Sequence, residues 1–136
     1  MGPLGYQNIK MLILIVDSSI LIIERLEEII SGTKNITTIH KAVSYEQAKK
    51  LFNKNKHDVV LLDIDLPGNE SLKFLKEIKK TGGGTCVIIL FSHSDNYIQE
   101  QWKYLGADIF FDKYYDFEKI SSVIDNVSFM HSKNTE

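Results

Sequence analysis

Short apolar runs recur five times along the chain, and a longer amphipathic segment follows each of them. The runs are continuous rather than alternating, which is typical of strands in a parallel sheet that is covered on both faces. The segments between the runs carry apolar residues at helical spacing. The predicted strands comprise residues 10–16, 36–39, 58–62, 86–91 and 108–111.

Capping residues mark where the predicted helices begin. Ser44-Tyr-Glu-Gln47 is a capping-box sequence, in which the serine and glutamine side chains bond backbone N–H groups reciprocally. Gly32 is expected to end the first helix, because glycine commonly follows the last helical residue. The helices are predicted to begin after Ser18 or Ser19, Ser44, Gly68, Asp95 and Asp116, and the last helix to end near Met130.

Alternating strands and helices predict the α/β class. The expected architecture is a doubly wound (βα)5 fold, with a five-stranded parallel sheet in the flavodoxin-like order 2-1-3-4-5. We predict a single domain over residues 10–130, with a flexible leader over residues 1–9 and a polar tail over residues 131–136.

The composition is that of one ordinary soluble domain, with 136 residues, 43% of them hydrophobic and 25% charged. A formal net charge of −2 gives no electrostatic reason to expect direct binding to nucleic acid or membranes. The longest strongly apolar run, residues 11–16, is too short to span a bilayer. The single cysteine, Cys86, excludes an internal disulfide and fits a reducing, cytoplasmic location.

Three charged residues stand where predicted strands end. Asp17 follows the first strand, Asp63 follows the third, and Lys113 follows the fifth. In the predicted strand order the carboxyl ends of these strands border one crevice, where open α/β sheets place their binding sites. Two carboxylates and an ammonium group in that crevice suggest a site for a divalent cation and a phosphoryl group.

Three sequence motifs carry a family resemblance. They are Leu12-Ile-Leu-Ile-Val-Asp17, His57-Asp-Val-Val-Leu-Leu-Asp-Ile-Asp-Leu-Pro-Gly68 and Leu105-Gly-Ala-Asp-Ile-Phe-Phe-Asp-Lys113. A single motif would be weak evidence, and the specificity comes from finding all three in order and at this spacing. Over roughly residues 10–128, the chain resembles the receiver domain of two-component response regulators.

The resemblance implies a role for each charged residue. Asp63 matches the aspartate that accepts a phosphoryl group from a histidine kinase or a histidine phosphotransfer protein. Mg²⁺ would be held by Asp17, Asp63 and the backbone carbonyl of Asp65, and Lys113 would pair with a phosphoryl oxygen. This chemistry is consistent, because a cation that bridges carboxylate and phosphoryl oxygens removes the repulsion between two anions.

Two residues depart from the family pattern at the site itself. Ser18 stands where receivers usually carry a second acidic metal ligand, so we expect weak Mg²⁺ binding, with its hydroxyl as a further candidate ligand. Phe91 stands where a Ser or Thr hydroxyl usually binds the phosphoryl group, a hydrogen bond of about 1.5–3 kcal/mol. Ser92 is expected on the opposite face of the strand, and Phe110 fills the switch-aromatic position without a hydroxyl. The usual conformational switch should therefore be weakened.

Smaller departures concern the surrounding loops. Ser71 replaces a glycine that is common after the Pro-Gly turn, and it is expected to affect loop shape but not chemistry. Tyr114 replaces a proline that often follows the lysine, which leaves the geometry of that loop open. His40 and His57 are expected to flank strands without histidine or cysteine partners, so no zinc site is predicted.

The expected function is that of a phosphoacceptor that signals through protein contacts on its fourth helix, fifth strand and fifth helix. It would be no enzyme beyond catalysing its own phosphorylation and dephosphorylation. One alternative, motivated by Ser18 and Phe91, is a degenerate receiver that binds partners independently of phosphorylation. A remote alternative is a small Mg²⁺-dependent phosphohydrolase, suggested by Asp63-Ile-Asp65 after a strand.

Overall fold

The computed structural model describes residues 11–33, 36–92 and 96–134. The strands are β1 (Met11–Val16), β2 (Ile36–Ala42), β3 (Val59–Asp63), β4 (Cys86–Phe91) and β5 (Ile109–Asp112). They form one parallel sheet in the order β2-β1-β3-β4-β5, so the predicted fold class and strand order are confirmed. The second strand is longer than predicted, because residues 40–42 continue the pairing with residues 14–16 of β1.

Five α-helices among the described residues connect the strands. They are α1 (Ile20–Ser31), α2 (Tyr45–Lys54), α3 (Glu70–Lys80), α4 (Asn96–Tyr104) and α5 (Ile120–Asn134). Short 3-10 turns, Pro67–Asn69 and Phe117–Lys119, precede α3 and α5. The last helix continues to Asn134, so part of the predicted polar tail is helical. The predicted leader and the Asp95 cap lie outside the described residues.

The sheet is buried on both faces, which explains the continuous apolar character of its strands. Leu14 belongs to a core on one face, together with Phe52 of α2. Ile15 belongs to a second core on the other face, together with Leu26 of α1 and Ile120 of α5. The two cores hold the strands between the helix layers and thereby fix where the carboxyl ends of the strands meet.

Two aspartates bond neighbouring strands at the amino edge of the sheet. Asp58 Oδ2 accepts the Leu12 N–H at 2.8 Å, and Asp108 Oδ2 accepts the Val87 N–H at 2.8 Å. In each case the aspartate bonds the neighbouring strand twice, because its own backbone N–H also donates to the Leu12 or Val87 carbonyl at 2.9 Å. The regular strands β3 and β5 begin at Val59 and Ile109, one residue later than predicted.

Side-chain hydrogen bonds cap two of the predicted helix starts, and a third predicted cap residue makes no such bond. The Ser19 hydroxyl accepts the N–H of Ile22, as expected for the first residue of a cap. Ser44 caps α2 by accepting the Gln47 N–H at 3.3 Å. Asp116 holds the cap position of the 3-10 turn that leads into α5, but its carboxylate makes no cap bond and accepts the Asp112 N–H at 2.9 Å instead.

His40 and His57 form a pair, so the prediction that they lack histidine partners is wrong. His40 Nδ1 lies 2.9 Å from His57 Nε2, and the His57 ring stacks on Phe52. The rings meet across β1 on the face covered by α2, because His40 is paired with Leu14 of that face and His57 stacks on Phe52 of α2. His57 is buried, and its Nδ1 has no hydrogen-bond partner within the described structure.

Acid should destabilise the fold through His57. Burial, reinforced by the charge of His40 and opposed by Asp58, lowers the pKa of His57 from 6.5 to about 4. Between these values the unfolded chain binds a proton that the folded chain rejects, so the free energy of unfolding falls as pH falls from 6.5 to 4. The full loss is about 3 kcal/mol. Urea unfolding at pH 7 and pH 5 should show a larger loss for the wild type than for His57→Gln, and equal losses would contradict this account.

Candidate functional site

The structure brings Asp17, Asp63 and Lys113 together at the carboxyl edge of the sheet. Lys113 Nζ lies 3.0 Å from Asp17 Oδ2 and 3.2 Å from Asp63 Oδ1. The three residues are 0%, 1% and 7% exposed. Because β3 and β4 separate β1 from β5 in the sheet, the long lysine side chain spans strand ends that no short residue could connect. The three charges form one buried cluster, as the strand order predicts.

Backbone N–H groups hold both carboxylates in place. Asp17 Oδ1 accepts the Ser19 N–H at 2.8 Å, and Asp63 Oδ1 accepts the Asp65 N–H at 2.9 Å. Asp63 Oδ2 accepts no hydrogen bond from the described residues. One oxygen of Asp63 is thus fixed by two donors, while the other is left without a partner in this part of the chain.

Burial and charge act against each other at this cluster. Burial raises the pKa of Asp17, the Ser19 N–H lowers it, the neighbouring Asp63 charge raises it, and Lys113 lowers it, with a net rise. Burial lowers the pKa of Lys113, but the hydrogen bond to Asp17 and the charges of both aspartates raise it more. Lys113 is therefore cationic at neutral pH, which compensates the two buried carboxylates.

The oxygen donors at the site suit a hard divalent cation. Asp17 and Asp63 supply carboxylates to the cluster, and the backbone carbonyl of Asp65, in the loop that follows β3, stays a predicted ligand. No group of three or more His, Cys, Asp or Glu side chains that could hold a metal occurs within residues 11–33, 36–92 and 96–134. Such a donor set fits Mg²⁺, which commonly uses one or two carboxylates and retains several waters. Ser18 is exposed beside the cluster.

A cavity of about 460 Å³ lies next to Asp65. Phe91 and Phe110, the two positions expected to carry the phosphorylation switch, both line it without a hydroxyl. Ser92 lines the same cavity and lies in the bend that follows β4, which ends at Phe91. The remaining lining residues are Ile64, Ile98, Gln99, Gln101 and Trp102.

Ser71 is a site residue that sequence reasoning undervalued. Its side chain is 1% exposed, and its hydroxyl donates to the Asp63 carbonyl at 2.5 Å and accepts the Leu66 N–H at 3.1 Å. The loop between these residues contains Gly68 and Asn69 with φ values of 64° and 59°. A hydroxyl in place of the common family glycine, eight residues after Asp63, was the available signal.

Asp112 folds the loop that presents Lys113. Its Oδ1 accepts the N–H groups of Tyr114 and Tyr115 at 2.9 and 3.1 Å. The described peptide bonds are all trans, including the one that follows the lysine. The loop after Lys113, whose geometry the replacement of proline by Tyr114 left open, is therefore a turn that closes around the Asp112 carboxylate.

A protein-family model described as the response regulator receiver domain matches residues 13–125. The chain belongs to this family. Sporulation initiation phosphotransferase F of Bacillus subtilis (strain 168) is 31% identical over 78 residues, covering 57% of this chain and 63% of that protein. Response regulator UvrY of Escherichia coli (strain K12) is 28% identical over 95 residues, covering 70% of this chain and 44% of that protein. The chain thus spans less than two thirds of the length of these curated relatives.

Solved receiver structures share the fold. The REC domain of AraT, a response regulator from Geobacillus stearothermophilus, superposes with a TM-score of 0.82 at 20% identity, covering 93% of this chain and 98% of that one. The Vibrio cholerae chemotaxis protein CheY4 gives 0.76 at 20% identity, covering 87% and 98%. At these identities the likeness concerns the fold. Across the described part of this receiver, no helix has the length and apolarity needed to cross a membrane.

Removing the Lys113 charge should destabilise the receiver, because two buried carboxylates would lose their counterion. We expect Lys113→Met to lower the free energy of unfolding by about 3 kcal/mol. The double variant Lys113→Met/Asp17→Asn should be more stable, by about 1 kcal/mol or more, than the sum of the two single effects predicts, since one of the unpaired charges is then absent. Urea unfolding of both single variants and the double variant measures this coupling.

Lys119→Met is the matched control, because Lys119 is 75% exposed and its 3.5 Å contact with Asp116 is a surface ion pair. It should change stability by less than about 0.5 kcal/mol. Equal effects of the two lysine substitutions, or strictly additive effects of Lys113→Met and Asp17→Asn, would show that the cluster is not the electrostatic unit described.

Proposed function

We propose that this receiver, over residues 10–130, accepts a phosphoryl group on Asp63 from a histidine kinase or a histidine phosphotransfer protein. The observation that supports this most directly is the buried cluster, in which Lys113 Nζ contacts both Asp17 and Asp63. Asp63 Oδ1 is held by Lys113 and the Asp65 N–H, which leaves Oδ2 as the nucleophile. The family to which the chain belongs supplies the donor class.

In the proposed transfer, Asp63 Oδ2 attacks the phosphorus atom of a phosphohistidine. The new O–P bond forms as the P–N bond breaks, and the electron pair of that bond stays on the imidazole nitrogen, which then takes a proton. Lys113 would move its hydrogen bonds towards a phosphoryl oxygen, because its raised pKa keeps it cationic. Asp17, Asp63 and the Asp65 carbonyl would hold Mg²⁺, with Ser18 as a further candidate ligand; the bound cation would reduce the repulsion between carboxylate and phosphoryl oxygens.

Signalling would run through protein contacts on the surface formed by α4, β5 and α5. Tyr104, Tyr114 and Tyr115 are exposed on α4 and in the loop after β5. We assign no direct contact with nucleic acid or membranes to this chain, and we place it in the cytoplasm. It would catalyse no reaction other than its own phosphorylation and dephosphorylation.

A degenerate receiver that binds partners independently of phosphorylation is the second candidate. It is favoured by Phe91, which stands at the sequence position of the phosphate-binding hydroxyl and is 9% exposed. It is also favoured by Ser18, which offers a neutral hydroxyl where a carboxylate is usual. The two candidates differ in whether Asp63 is modified at all.

Phosphorylation can be tested with acetyl phosphate and Mg²⁺, followed by intact mass measurement. We expect the wild type to gain one phosphoryl group and Asp63→Asn to gain none, because the nucleophilic carboxylate is then absent. Asp65→Asn is the matched control, since its exposed side chain changes while its backbone carbonyl remains. No adduct on the wild type, beside a receiver that labels normally, would favour the second candidate.

The switch can be tested by recording amide NMR spectra with beryllofluoride and Mg²⁺. We expect shifts near residues 17–19, 63–66 and 113, with little change in α4, because Phe91 cannot bond the phosphoryl mimic. Phe91→Thr should extend the shifts into α4 and β5, since the restored bond is worth about 1.5–3 kcal/mol. Shifts throughout α4 in the wild type would show that another group carries the switch, and a spectrum without shifts would support the second candidate.

A further inference from the structure

Ser71 joins two parts of the loop that follows the proposed phosphoacceptor. Its hydroxyl donates to the backbone carbonyl of Asp63 and accepts the N–H of Leu66. The side chain is almost completely buried, beneath the loop that contains Asp65. Both hydrogen-bonding capacities of a hydroxyl, one donor and an acceptor, are therefore used within this loop.

These bonds are not an ordinary helix cap. A serine in the first turn of a helix usually bonds backbone groups within its own turn. The partners of Ser71 lie five and eight residues earlier in the chain, in the loop and at the end of β3. The cap position of α3 is held by Asn69, which makes no side-chain cap bond. The Ser71 hydroxyl is thus committed to the loop instead of the helix.

Peptide geometry converts the Leu66 bond into an orientation of the Asp65 carbonyl. The Asp65 C=O and the Leu66 N–H belong to one planar trans peptide, so they point in opposite directions. Because the Leu66 N–H points at the buried Ser71 hydroxyl, the Asp65 carbonyl points away from it. The second bond of Ser71 fixes the same loop to the main chain of Asp63, whose carboxylate lies in the charged cluster.

We propose that Ser71 is a positioning residue for the divalent cation, acting by fixing the Asp65 carbonyl relative to the Asp63 carboxylate. This inference rests on the proposed function, in which both groups are metal ligands. Fixing a ligand before binding removes part of the entropy cost of ordering it. That contribution matters in this chain, because Ser18 supplies no carboxylate to strengthen the site.

The test is a Mg²⁺ titration of the full chain, in which binding is measured by the amide NMR shifts of residues 17–19 and 63–66. We expect Ser71→Ala to raise the Kd for Mg²⁺ roughly three- to tenfold. Ser71→Gly should do the same, and it provides a second variant if the alanine variant folds poorly. With acetyl phosphate, both variants should need more Mg²⁺ for half-maximal labelling, while the rate at saturating Mg²⁺ stays close to that of the wild type.

Thr85→Val is the matched control. Thr85 is also buried, and its hydroxyl donates to the His57 carbonyl at 2.7 Å, but it lies at the opposite edge of the sheet. This variant should lose stability and keep the wild-type Kd for Mg²⁺. Equal Mg²⁺ affinities of wild type and Ser71→Ala would overturn the positioning role alone, as would equal weakening by Thr85→Val. Failure of the wild type to bind Mg²⁺ would overturn both this inference and the metal in the proposed function. Asp17→Asn, which lacks a proposed carboxylate ligand, gives the NMR response expected when Mg²⁺ does not bind at the site.

Discussion

The contact of one lysine ammonium with two buried aspartates is the interaction on which the site depends. Asp17 and Asp63 end neighbouring strands, and two carboxylates so placed repel each other unless a cation lies between them. Lys113 supplies that cation from the far side of the sheet, so the electrostatic balance also ties the ends of β1, β3 and β5 together. A phosphoryl group on Asp63 would compete for the same ammonium, and the resting contacts of Lys113 would change with it.

The two loops that complete the site are held by side chains that bond the backbone. Ser71 occupies the loop after β3, and Asp112 gathers two N–H groups in the loop after β5. Both loops depart in sequence from the commoner glycine and proline of the family. In each loop, hydrogen bonds from a side chain to the backbone restrict the conformation, as the glycine or proline would in other members of the family. The departures at Ser71 and Tyr114 therefore do not imply a looser site.

The sheet was predictable because strands buried on both faces leave continuous apolar runs, and the charged cluster was predictable because parallel strand ends meet at one edge. The His40–His57 pair was not, since it depends on which strands flank β1 and on the register between them. Nor was the Ser71 bridge, which depends on a loop with two residues at positive φ. The role of Asp116 was not predictable for the same reason, because its carboxylate accepts the Asp112 N–H of the loop instead of an N–H of the helix that follows. Short-range patterns predict elements, whereas contacts between loops require the assembled sheet.

The cavity beside the site has a consequence for observing this protein. Trp102 is the only tryptophan in the chain, and it shares the cavity wall with Phe91 and Phe110. Indole emission depends on the polarity and packing around the ring, and the wall around this cavity includes the two residues that stand in the family's switch positions. The chain therefore carries a built-in optical reporter beside two of its departures from the family pattern, and rearrangements there can be followed in real time without an attached label.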